Sequence, residues 1–185
     1  MPKLESLLIG ATAILILAVF VWSLIQVLPR DALPGPEHPE YAERLAAAPA
    51  MTALNRRFSP EAYRRAEIKN DPLVDEITAT HPDVTPQQIQ EIRGLYAGHA
   101  RASLDDLKKA TERLYARTYG VDEITAIGGK SVPRLSLTRV RLFLTAASIR
   151  EDQARIRQEV RDRTAERYET RILPALERLG VAPPE

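Results

Sequence analysis

The run Leu7 to Leu28, LLIGATAILILAVFVWSLIQVL, holds 22 residues and no ionisable side chain. As a helix it would reach about 33 Å at roughly 1.5 Å per residue, enough to cross a hydrocarbon core of about 30 Å. The apolar region of a secretory signal is shorter, about 7–15 residues, and closes on a small-x-small cleavage site. Here the run passes into Val27, Leu28, Pro29 and Arg30, which make a poor site. Trp22 lies toward one end, where interfacial aromatics anchor a span. The expectation is therefore a retained transmembrane anchor with a short N-terminal tail over residues 1–28, in preference to a cleaved signal or a buried core helix.

Orientation follows from small differences. Lys3 and the amino group precede the run, with Glu5 against them; Arg30 beside Asp31, and then Arg44, follow it. The positive-inside bias is slight, and a six-residue tail stays in the cytoplasm easily, which sends the remainder outward. Arg outnumbers Lys 21 to 5 in an Ala-rich chain, which points to GC-rich bacterial coding. The expected location is the bacterial inner membrane, single-pass, with the soluble domain in the periplasm. The absence of cysteine fits an oxidising compartment without a disulfide scaffold. Gly10, Ala11, Thr12 and Ala13 open the run without a GxxxG, and small residues are ordinary in membrane helices.

Residues 29–40, PRDALPGPEHPE, hold four prolines and one glycine, so no helix continues through them; they read as a linker. Residues 41–180 suffice for one helical domain, with 181–185 as a tail. The net charge of +1 argues against a nucleic-acid partner, which needs a basic face.

The domain reads as all-α. Ser59-Pro60, Asp71-Pro72 and Thr85-Pro86 each set a capping residue before a proline that tolerates the first helical position. They open EAYRRAEIK, LVDEITAT and QQIQEIRGLYAGHA, after a first helix at Glu40 to Ala47. Ser103 is expected to cap a further helix ending at Gly120, with Leu104, Leu107, Ala110, Leu114 and Tyr115 on one face. A short VDEITAI ends at Gly128-Gly129, and no alternating stretch predicts a strand. The last helix is expected from Leu137 to Ile172, with Pro174 kinking it or opening a final turn. Its start, with Val140, Leu142, Phe143, Ala146, Ala147 and Ile149, is expected to be buried. Residues 150–171 carry 13 charges in 22 positions, with Glu151–Arg155 and Glu159–Arg163 at salt-bridge spacing. A thin apolar stripe of Ile149, Ile156, Val160, Tyr168 and Ile172 remains. Such a helix leans on its own domain or presents that stripe to a partner.

Catalytic motifs are poorly matched. Gly129-Lys130-Ser131 lacks the upstream glycine of a phosphate loop, because position 124 is Ile. His81-Pro82-Asp83 matches the tripeptide of J-domain co-chaperones, but an acidic rather than basic helix precedes it. His38, His81 and His99 share no helical face, and without cysteine a zinc site would need scattered carboxylates. His99 is expected at a helix end. Asp105-Asp106 and Asp122-Glu123 lie near expected helix starts, where acids suit the dipole. G-x-S-x-G is absent. No cofactor, metal or catalytic residue is assigned, and a non-enzymatic role is expected.

The segment ERLYARTYGVDEITAI, Glu112 to Ile127, with Gly128-Gly129-Lys130 after it, resembles a family of small exported all-helical bacterial proteins of unknown function, over about residues 112–135. The resemblance implies an all-α exported domain and no particular activity. The function expected is that of an accessory, scaffolding or assembly subunit of a membrane or envelope complex. Its partners would be the lipid bilayer and a protein, or a second copy of the chain. The alternative is a periplasmic ligand-binding or sensor module using Tyr96, Tyr115, Arg117 and Tyr119.

Overall fold

The computed structural model describes Val19, residues 39–130 and residues 137–183, and all regular structure among them is helical. The run Leu7–Leu28 lies outside these residues apart from Val19; among the described residues no helix is long and apolar enough to cross a membrane.

The elements are α1 (Pro39–Ala47), α2 (Pro49–Thr52), a 3-10 turn (Arg56–Phe58), α3 (Pro60–Ile68), α4 (Asp71–Thr80), α5 (Pro86–Thr118), α6 (Val121–Gly128), α7 (Leu137–Arg167), a π turn (Tyr168–Ile172) and α8 (Leu173–Arg178). The 33-residue α5 is the spine, about 50 Å long. It starts at a complete capping box: Thr85 Oγ1 accepts from Gln88 N at 3.3 Å and Gln88 Oε1 accepts from Thr85 N at 2.9 Å. Against it packs a segmented first arm, α1 to α4, running antiparallel. Thr52 bonds Glu112, Tyr63 bonds Asp105, and Asp71 pairs with Arg93. On another side α7 and α8 also run antiparallel, pairing Tyr119 with Thr145, Ser103 with Thr164, and Gln88 with Leu179.

Prolines divide the first arm because each removes an N–H and clashes with the preceding turn. Ser59 caps α3 as expected, accepting from Ala62 N at 3.2 Å. Asp71 does not cap α4: Asn70 stands at that position without a side-chain bond, and the Asp71 carboxylate lies 3.3 Å from Arg93 Nε instead.

The apolar core divides between the two ends of the bundle. One cluster joins Val74, Ile77, Ile92, Tyr96, Ile172, Leu176 and Val181; the other joins Met51, Tyr119 and Ile124, with Ala47, Tyr115, Leu142 and Ile149 against them. Val181, expected in a tail, is core. The end of α8 explains this. Gly180 adopts φ 73°, Gly180 N donates to Glu177 O and Val181 N donates to Leu176 O, both at 3.0 Å. This left-handed cap turns the chain back and packs Val181 on the cluster holding Leu176. Ala182 N then donates to His81 Nε2 at 3.3 Å. The π turn before α8 reflects Pro174, which has no N–H for the preceding turn; Leu173 N donates to Tyr168 O, five residues back.

Three further expectations are corrected. The helices expected on either side of Ser103 are one, because Ser103 Oγ donates to His99 O within the helix rather than capping a new one. His99 is accordingly mid-helix. The start of α7 is not wholly buried: Leu142 and Ile149 pack inward, but Val140 is 45% exposed and Phe143 80%. Finally, Arg155 pairs with Asp152 at 2.5 Å rather than with Glu151.

Gly128 is required for packing. A Cβ there would lie 2.6 Å from Ala50 Cβ and 3.1 Å from the Ala50 carbonyl carbon. Gly128→Ala should lower the melting temperature despite alanine's better helix propensity, and adding Ala50→Gly should restore part of the loss. Gly180→Ala should cost about 1 kcal/mol by chemical denaturation, through its positive φ.

Candidate functional site

Between the two apolar ends the bundle is crossed by a belt of polar pairs centred on α5. Asp105 and Asp106 are adjacent in sequence and so about 100° apart around a helix. Asp105 faces α3, where its Oδ1 accepts from Tyr63 Oη at 2.7 Å. Asp106 faces α7, where it pairs with Arg167, both side chains largely covered. The acidic pair expected at a helix start therefore lies in mid-helix and ties the spine to both neighbours. By contrast Glu123 does serve the start of α6, accepting from Gly120 N at 2.9 Å.

The belt continues on both sides. Ser103 gives its proton to the His99 carbonyl and accepts from Thr164 Oγ1 at 3.0 Å. Thr52, fully buried, donates to Glu112 Oε1 at 2.8 Å, with Lys108 Nζ 4.0 Å from the same oxygen. Glu67 and Arg101 form an outer pair at 3.5 Å. Burial and the bond to Asp105 push the Tyr63 phenol up to about 12. Burial also raises the Tyr96 and Tyr115 phenols, the latter offset in part by Gln153. These phenols remain protonated donors at neutral pH.

His99 borders the belt. Its ring stands edge-on to Tyr168 at 5.9 Å, and its Nδ1 is buried without a hydrogen-bond partner among the described residues. Burial first, and the nearby Arg167 charge second, hold the His99 pKa below its ordinary value. Arg167 Nη1 is likewise buried and without a hydrogen bond.

The stripe singled out from the sequence turns inward along its length. Val160 and Ile172 are buried, Ile149 and Tyr168 pack on the two apolar clusters, and Ile156 is half-buried. The four residues offered as a pocket do not converge. Tyr96 and Tyr115 lie on the same straight helix about 28 Å apart, one at each end of the bundle. Tyr119 joins Tyr115 with rings 6.4 Å apart, and Arg117 is exposed.

A groove does open beside the belt, lined by Asn55, Arg57, Phe58, Leu107, Gln153 and Arg157, with about 290 Å³ of space that includes open solvent. Among the described residues no three His, Cys, Asp or Glu side chains gather as a metal site. Ser103 is aimed at a carbonyl rather than a base, and the carboxylates are engaged by hydroxyls and guanidinium groups. The arrangement sets helix register. Nothing in the sequence marks Asp106 and Arg167 as partners, since they are 61 residues apart. The only advance signal was small hydroxyl residues, Ser103 and Thr164, inside helices where apolar residues would otherwise pack.

Two outcomes are expected. Asp106→Ala should cost about 1–3 kcal/mol by urea denaturation, because it leaves a half-buried guanidinium without its partner. Asp106→Leu with Arg167→Met should recover much of that. The depressed His99 pKa means the unfolded chain binds a proton that the folded chain refuses. Stability should therefore fall as pH drops below about 6.5, level off below the folded pKa, and depend less on pH in His99→Gln, read by melts across that range.

Comparison of the chain with protein-family models, with curated proteins and with solved structures returns no match.

Proposed function

We propose that the protein is a single-pass, membrane-anchored helical subunit that serves an accessory, scaffolding or assembly role in a bacterial inner-membrane or envelope complex, with its helical domain on the periplasmic side. The observation that carries this reading is the largely apolar run Leu7–Leu28, 22 residues without an ionisable side chain, followed by the proline-rich residues 29–40. The fold supports it in a further respect. The hydroxyls, carboxylates and guanidinium groups of the belt bond one another, which is the arrangement of a rigid body rather than of a reaction centre. The groove is partly open to solvent, and the tyrosines weighed for a ligand pocket, Tyr96 against Tyr115 and Tyr119, sit at opposite ends of the bundle.

The full chain, solubilised from membranes in detergent, should bring down a protein in fixed ratio, and a chain lacking residues 7–28 should lose it. Recovery of the full chain alone, as monomer or homodimer, would overturn the accessory role. A reporter fused after residue 183 should be active only if its enzyme matures outside the cytoplasm; the opposite result would reverse the orientation.

A further inference from the structure

We infer that the exposed face of the first turns of α7 is a membrane-docking surface, which seats the domain on the anionic phospholipid headgroups of the bilayer that carries the anchor. The inference deepens the membrane-anchored reading and rests on it.

Four observations combine. The first is charge. From Ile124 to Arg150 the chain has Lys130, Arg134, Arg139, Arg141 and Arg150 and no Asp or Glu, in a protein whose net charge is only +1. The second is shape. At about 100° per residue, Arg139, Val140, Phe143, Ala147 and Arg150 fall within roughly 100° of the α7 circumference, and all five are exposed. Leu142, Thr145 and Ile149 occupy the opposite side and pack inward. The third is exposure: Phe143 is 80% exposed, the most of any large apolar side chain among the described residues. On such a face an aromatic side chain can enter the headgroup region while the arginines beside it meet lipid phosphates, which joins apolar burial to electrostatic attraction.

The fourth is place. Ala47, the last residue of the nine-residue α1, and Leu142 of α7 belong to one apolar cluster, so the first helix after residues 29–38 ends beside this face. Eleven residue steps separate Leu28 from Pro39, a reach of at most about 40 Å. That leash is long enough for this face to reach the headgroups. A second copy of the chain fits the face less well. Pairing like with like would set Arg139 and Arg150 against their equivalents, and like charges facing across an interface are unfavourable.

The test uses the full chain in vesicles. Trp22 is the single tryptophan, so Trp22→Phe with Phe143→Trp places one indole on the face. The protein is reconstituted into phosphatidylcholine vesicles with and without phosphatidylglycerol, with some lipids brominated near the headgroup end of their chains. With phosphatidylglycerol present, the indole should emit to the blue and be quenched by bromine. Quenching should fall at least about twofold without anionic lipid, or when Arg139→Glu and Arg150→Glu are added and circular dichroism shows the helices intact. Red, unquenched emission in both vesicles would overturn docking. So would blue emission that bromine leaves unchanged and dilution abolishes, since that reports a second copy. An alkaline carbonate wash separates the two readings. Retention with an unquenched indole overturns docking alone. Release overturns the anchor, while the quenching measured beforehand still reports on the face.

Discussion

The continuity of α5 is the constraint on which the rest of the fold depends. From Pro86 to Thr118 there is no proline after the first position, and the Thr85–Gln88 capping box fixes the start. Gly94 and Gly98 fall within it, yet the helix runs through both. Each glycine lowers helix propensity by about 1 kcal/mol, so tertiary contacts keep the helix continuous. Those contacts come from most of the other elements: α1, α2, α3, α4, α6, α7 and the π turn all touch it. The first arm, broken at Pro49, Pro60 and Pro72, has no comparable stiffness and takes its path from the spine.

Along that spine apolar and polar layers serve different ends. The clusters around Ile92 and Leu176 and around Tyr119 and Ile124 supply non-directional burial, which would tolerate sliding of α7 along α5. The belt does not tolerate it. Asp106 pairs with Arg167 at one register only, and a shift of one turn would leave two largely covered charges unpaired, whereas Ser103 and Thr164 would keep the carbonyls of His99 and Val160 in their own helices. The cost of this device is visible at His99 Nδ1 and Arg167 Nη1, which lie buried without hydrogen bonds. The two ends also differ in character: the end with Val181 is closed by the turn at Gly180, whereas at the other Phe143 and Val140 are exposed beside Arg139 and Arg150.

Much of the architecture was legible in the sequence because local rules were strong where they applied. The all-helical class, the starts at Ser59-Pro60 and Thr85-Pro86 and the stop at Gly120 follow from capping chemistry and glycine and proline geometry, which need no distant partner. Ser103 was misread because a serine inside a helix has a second option, bonding the carbonyl four residues back, and only the flanking helices decide between them. The stripe of Ile149, Ile156, Val160, Tyr168 and Ile172 was visible as a stripe. Its direction was not, because periodicity shows that a face is apolar and never what covers it.

The amino-acid sequence by itself determined the helix starts at Ser59-Pro60 and Thr85-Pro86, the apolar run at Leu7–Leu28, and the acid-free basic stretch from Ile124 to Arg150, since these depend on neighbours in the chain. Tertiary structure decided which helix becomes the spine, that Asp105 and Asp106 divide between α3 and α7, that Gly128 must admit Ala50, and that Phe143 faces outward. The physical reason is range. Capping and helix periodicity act within a turn or two, whereas register, close approach and exposure depend on residues some 40 to 90 positions away, whose placement no local pattern encodes.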